Sequence, residues 1–178
     1  MDNVAKRLDE VFRAAHICVA QRLPLPALVL IYSAIDIVAS LERSGNEGTR
    51  KTFVHWVSRY LPHDERLRCT PTELWAARCG VIHTLSADSD LSRRGKARRV
   101  GYAYGAASAD ELQGVLPMVG VKDVAIHVDT FLELARDGVA HFFSEVKTDP
   151  DRLRRVSGNA ARCLSNLTIK EILDLERR

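Results

Sequence analysis

The stretch T-P-T-E-L-W-A-A-R-C-G-V-I-H-T-L-S, Thr70 to Ser86, decides how this chain is read. Thr70 and Glu73 have the spacing of a capping box, in which each side chain satisfies the other's free backbone N–H. Pro71 falls at the first helical position, where its missing N–H costs nothing. The spacing predicts a helix from Pro71 to about Leu85, with Leu74, Trp75 and Ile82 on its apolar faces. Arg78 and His83 stand among them. A guanidinium keeps its charge at any working pH, and an imidazole ordinarily titrates near neutrality. Such a pair can hold a phosphate and move a proton.

Outward from this helix, the periodicity describes more helices. Val4, Leu8, Val11, Phe12, Ala15 and Val19 recur at three- and four-residue steps, which predicts an amphipathic helix over 2–22. Pro24 and Pro26 end it. A second helix is expected from Ala27 to about Arg43, apolar nearly all round in its first half and therefore central to the core. Within it Tyr32, Ser33, Asp36 and Ser40 share one side. A carboxylate there needs a partner. Either Tyr32 or a serine holds Asp36 and only fixes packing, or Asp36 orients Arg78 or His83.

A third helix covers Arg50 to Leu61, with Phe53, Trp56, Val57 and Tyr60 inward. Residues 86–96 read as a polar loop. Val100, Tyr102 and Tyr104 alternate with small residues, and Val124, Ile126 and Val128 alternate likewise, so a small β-hairpin insertion is expected. Phe131, Leu134, Ala135, Val139, Phe142 and Val146 mark a long helix from Val128 or Asp129 to about Lys147, stopped by Asp149-Pro150. Ser157-Gly158-Asn159 reads as a turn. A second capping box, Thr168 to Glu171, predicts a short C-terminal helix. The expected fold is mainly α: a helical bundle over 1–148 and an extension over 149–178 that carries the short helix.

A chain of 178 residues, 46% hydrophobic and 28% charged, can bury one full core. No apolar run of roughly 18 residues and no signal-peptide core stand out, so a cytosolic location with no membrane partner is the default expectation. Cys18, Cys69, Cys79 and Cys163 lack a pairing motif and are expected as free thiols. The net charge of +3 permits an acidic partner such as RNA. Arg93, Arg94, Lys96, Arg98 and Arg99 form a dense basic cluster, read as an RNA-tracking surface. The nearby rings of Tyr102 and Tyr104 read better as part of a half-buried strand.

Two other chemistries fit residues of the central stretch. Cys79 and His83 are i and i+4 and share a helix face, as a thiol nucleophile and its base would, but no orienting group or oxyanion hole accompanies them. His63, Cys69, Cys79 and His83 are metal-ligand types without the tight paired spacing of a zinc site.

The run R-C-G-V-I-H, Arg78 to His83, resembles the R-x4-6-H signature of the HEPN superfamily (higher eukaryotes and prokaryotes nucleotide-binding). The order of helices before the motif is also similar. The resemblance implies a helical bundle that dimerises and binds RNA or nucleotides. In many members it implies a metal-independent endoribonuclease of a toxin–antitoxin or antiviral system, which brings in an antitoxin protein as a further partner. Arg78 and His83 would be the catalytic pair, with Asp36 beside them, and no metal or cofactor is required. Active members often place a polar residue directly after the arginine, where this chain has Cys79. Some members are non-catalytic, so the alternative is a dimeric binding or regulatory module. Five residues turn a helix by about 500°, or about 140° net, which separates Arg78 from His83 on one helix. A homodimer with both pairs in a shared cleft would reunite them, with Leu74, Val81 and Leu85 or the helix at Ile169 to Leu175 supplying contact area.

Overall fold

The structure, a computed structural model, describes residues 2–61, 64–120 and 122–161. The elements run α1 (Asp2–Ala20), α2 (Pro24–Leu41), α3 (Thr49–Tyr60), α4 (Pro71–Thr84), α5 (Asp90–Arg93), β1 (Val100–Ala103), α6 (Ala109–Val115), β2 (Val124–His127), α7 (Val128–Thr148) and α8 (Pro150–Ala160). The chain is mainly α with one small two-stranded sheet, as its periodicities predict.

α2 sits at the centre and is packed by α1, α3, α4, α7 and α8. Ile31, Tyr32, Ala34, Ile35 and Val38 on α2 are fully buried against Leu8, Phe53, Trp56, Leu74, Phe131 and Phe142. Each such large side chain contributes about 1.5–3 kcal/mol by leaving water. At 18 residues and a mean hydropathy of 1.8, α2 is long and apolar enough by composition to cross a membrane, contrary to the sequence expectation. Half of that window is buried inside the bundle, as befits a core helix.

The sheet corrects the expected hairpin. β1 and β2 run parallel, with Val100 opposite Val124 and Tyr102 opposite Ile126. Parallel strands need a crossover connection, and α6 with a following 3-10 turn, Leu116–Val119, provides it. Ser108 caps α6 through Glu111, a capping box that the sequence carried in plain view.

The C-terminal side is corrected too. Asp149-Pro150 starts α8 instead of only stopping α7. The Asp149 carboxylate accepts from Asp151 N and Arg152 N at 3.0 Å, and Pro150 occupies the first turn. Ser157, Gly158 and Asn159 are helical, not a turn. Asn159 Nδ2 donates to the carbonyls of Leu41 and Arg43 at the end of α2. Val156 is fully buried, so α8 belongs to the core. The predicted helix at 168–178 lies outside the described residues.

Candidate functional site

α4 begins as the sequence requires. Thr70 Oγ1 accepts from Glu73 N at 3.2 Å, and Glu73 Oε2 accepts from Thr70 N at 2.7 Å. The other Glu73 oxygen, Oε1, accepts from Arg98 Nε at 2.5 Å. α4 ends at Leu85, which adopts the left-handed conformation at φ 51°. The chain then doubles back. Ser86 N donates to Gly80 O at 3.1 Å. A Cβ at Gly80 would collide with the Ser86 carbonyl oxygen and come within 2.9 Å of that of Asp88. Gly80 is therefore required by close backbone approach, and it does not loosen the helix between Arg78 and His83.

This helix end brings together the three residues named from the sequence. Arg78 Nε donates to Asp36 Oδ2 at 2.7 Å, and Arg78 Nη2 lies 2.5 Å from the same oxygen. Arg78 Nη1 lies 2.9 Å from His83 Nε2. The 140° between Arg78 and His83 is bridged within one chain, because the long guanidinium reaches over the last turn while α2 holds its other edge. One chain therefore joins Arg78 to His83 without a second copy. Tyr32 and Ser40 do not compete for Asp36. Tyr32 OH bonds Tyr102 OH at 2.6 Å, and Ser40 Oγ donates to Ile37 O at 2.7 Å.

Charge and burial set the site's character. An arginine can only donate, so His83 Nε2 accepts in this geometry and its ring proton sits on Nδ1. Burial pushes the Asp36 carboxyl up, and the hydrogen bond from Arg78 pulls it partly back. Asp36 Oδ1 is buried without a hydrogen-bond partner among the described residues. Arg78 also stacks over Trp75, 5.1 Å from the ring centroid. Trp75, read from sequence only as an apolar face, is thus a wall of the site. His83 itself is exposed.

The other chemistries find less support. Burial pushes the Cys79 thiol up, away from the thiolate that nucleophilic attack needs, although Arg78 opposes this. Burial holds Cys69 up at about 12. Cys18, Cys69 and Cys79 are free thiols. Among the described residues no three His, Cys, Asp or Glu side chains are grouped to hold a metal ion. His63 and Cys163 lie outside the described residues.

The members of the basic cluster differ in their surroundings. Arg98 is committed to Glu73 and the Arg68 carbonyl, and Arg99 to Asp123 at 2.9 Å and Asp88 at 3.4 Å. Arg93 pairs with Asp90 at 2.5 Å. Arg94 and Lys96 are exposed and have no side-chain partner among the described residues. Tyr102 is bonded to Tyr32 beneath the surface and cannot stack on a base, whereas Tyr104 is half exposed. Leu74 and Val81, expected to face a second copy, are buried inside the bundle, and only Leu85 remains exposed.

No family model, curated protein or solved structure matches this chain.

Proposed function

We propose that this chain is a HEPN-like RNA-binding protein that cleaves the RNA backbone at Arg78 and His83 without a metal. The observation that carries the reading is the 2.9 Å contact between Arg78 Nη1 and His83 Nε2, with Asp36 gripping the far side of the same guanidinium. An RNA phosphate competes for Nη1, and its arrival frees the lone pair on Nε2. His83 then takes the proton from a ribose 2′-hydroxyl as that oxygen attacks the adjacent phosphorus. Arg78 faces the negative charge that grows on the phosphate oxygens. The bond to the 5′-oxygen of the next nucleotide breaks, that oxygen takes a proton from water, and His83 gives up its acquired proton to solvent. The products are a 2′,3′-cyclic phosphate and a 5′-hydroxyl. Asp36 bonds Arg78 and not His83, so it acts by positioning the arginine. Arg93, Arg94 and Lys96 supply further contacts to the strand.

The same reading carries a cytoplasmic homodimer in a toxin or defence system, with an antitoxin protein as its partner. Light scattering at micromolar concentration tests the dimer. The pairing of Arg93, Arg98 and Arg99 with carboxylates favours the second reading, a binding or regulatory module without catalysis. Incubating the pure protein with mixed RNA and a chelator separates the two. Cyclic-phosphate ends support cleavage. RNA that is bound but intact selects the second reading, and cleavage abolished by the chelator points to a metal instead.

A further inference from the structure

A cleft of about 390 Å³ opens beside His83, between α4 and the segment 88–93. Its lining is mostly apolar, and Trp75 and Cys79 on α4 form one wall. Trp75 is fixed in place: Phe53 meets its ring edge-on at 5.3 Å, and the Arg78 guanidinium lies over it. A rigid aromatic wall next to the arginine assigned to the phosphate suits an unstacked base, since every base has a face that can stack on an aromatic ring. Asp88, Asp90 and Arg93 are the charged residues of the lining. Asp88 is loosely held, with Oδ1 3.4 Å from Arg99 and Oδ2 without a hydrogen-bond partner among the described residues. Arg93 spends Nη2 on Asp90 and keeps its remaining N–H groups unbonded among the described residues.

A carboxylate only accepts and a guanidinium only donates. Adenine and cytosine each carry one amino donor beside ring acceptors, but guanine alone answers both groups with two bonds each. It offers adjacent donors at N1 and N2, and adjacent acceptors at O6 and N7. Uracil has one ring donor and no amino group. We propose that this cleft is a guanine-binding subsite, in which Trp75 forms the wall for the base, Asp88 accepts from N1–H and N2–H, and Arg93 donates to the O6 and N7 edge. The inference rests on the RNA reading of Arg78 and His83, and it adds which nucleotide is seated beside them.

The test uses the full chain in the presence of a chelator. The four nucleoside 5′-monophosphates are titrated by calorimetry, and random-sequence RNA is digested and its ends are sequenced. GMP should bind about tenfold or more tightly than UMP, since a bidentate contact discriminates by roughly that factor or better. Asp88→Asn should reduce that ratio to under about twofold, and Arg93→Ala should weaken GMP more than UMP. Far-UV melting confirms that both variants are folded. Equal binding of all four monophosphates, or a GMP preference that Asp88→Asn leaves intact, overturns the subsite. RNA cut without regard to guanine, with monophosphates bound alike, would sink the subsite and leave cleavage standing. A GMP preference that depends on Asp88, with no RNA cleaved, would keep the subsite and remove the nuclease reading.

Discussion

Two arginines reach back to the same central helix and meet different surroundings. Arg152 on α8 donates Nε to Glu42 Oε1 at 2.5 Å, Nη1 to Glu145 Oε2 at 3.0 Å and Nη2 to the Tyr60 hydroxyl. The rings of Tyr60 and Phe142 close over its guanidinium, and only 6% of the residue is exposed. Arg78 on α4 meets Asp36 and Trp75 in a similar way, but its third group is an exposed imidazole. Among the described residues each cluster leaves one carboxylate oxygen without a partner, Glu42 Oε2 and Asp36 Oδ1, so an unsatisfied acceptor does not tell them apart. What differs is the third partner. Around Arg152 the chain supplies fixed acceptors on every side of the guanidinium. Around Arg78 it supplies a base that a ligand can displace.

The largest separation is expected from His83→Ala. RNA cleavage should fall about 10²–10⁴-fold, while thermal stability moves by no more than about 0.5 kcal/mol, as for other exposed positions. Arg78→Ala should lose cleavage to a similar degree and also destabilise the fold, since it strands the Asp36 carboxylate. Chelator-resistant cleavage that survives both substitutions would remove the site.

Arg152→Ala is the mirror experiment. Breaking a buried pair by removing one partner costs about 3–5 kcal/mol, or roughly 6–20 °C in Tm for a chain of this size. Cleavage per folded molecule should be unchanged. A loss under about 1 kcal/mol in denaturant titration would show that the two clusters are not different in kind.

Acid titration should give the two clusters opposite signs. The Tyr60 hydroxyl, with Arg152, holds Glu145 at about 2 against an ordinary 4.5. Its contribution is present above about pH 4.5 and is lost as pH falls toward 2. Asp36 is shifted upward from 3.8, chiefly by burial. The native state then holds the proton more tightly than the unfolded chain, so this carboxyl lowers stability as pH rises from 3.8 through its folded pKa. Urea melts from pH 2 to 7 should show Glu145→Gln flattening the acid loss and Asp36→Asn removing the opposing slope. The same slope change in both variants would contradict the contrast.

The smallest effect belongs to the basic cluster. Replacing Arg94 and Lys96 with alanine should shallow the salt dependence of RNA affinity by about 0.7 per lost phosphate contact. Arg98→Ala should leave that slope alone and weaken the cap of α4 through Glu73. If Arg98 carries the slope instead, its pairing in the free protein is given up on binding.

The helices were legible because they rest on local rules, whereas the choice of Arg78 over Tyr32 or a serine as the partner of Asp36 was not, since the two residues are 42 positions apart and meet only after folding. Apolar spacing marks α1 and α7, Thr70 and Glu73 mark the start of α4, and a carboxylate on a buried helix demands a partner without naming it. The capping box at Ser108 and Glu111 was equally local and was obscured by Gly114, Pro117 and Gly120 around it. Asp149-Pro150 was ambiguous because the same dipeptide ends one helix and opens another. Strand direction was not readable, since alternation in Val100–Ala103 and Val124–His127 is the same whichever way they pair. Nor was the division of the basic cluster. Whether Arg98 or Arg94 meets a carboxylate depends on residues that are close only after folding.

Gly80 gives the cleft beside His83 a further property. With no side chain at that position, the backbone of 86–88 rests directly on α4. Close-packed protein has low compressibility, and backbone resting on backbone has no flexible side chain to give way. The gap between the helix bearing Trp75 and the segment bearing Asp88 is therefore fixed before anything enters it. Such a cleft acts as a gauge: it sorts what enters by thickness and edge and does not mould itself to its occupant.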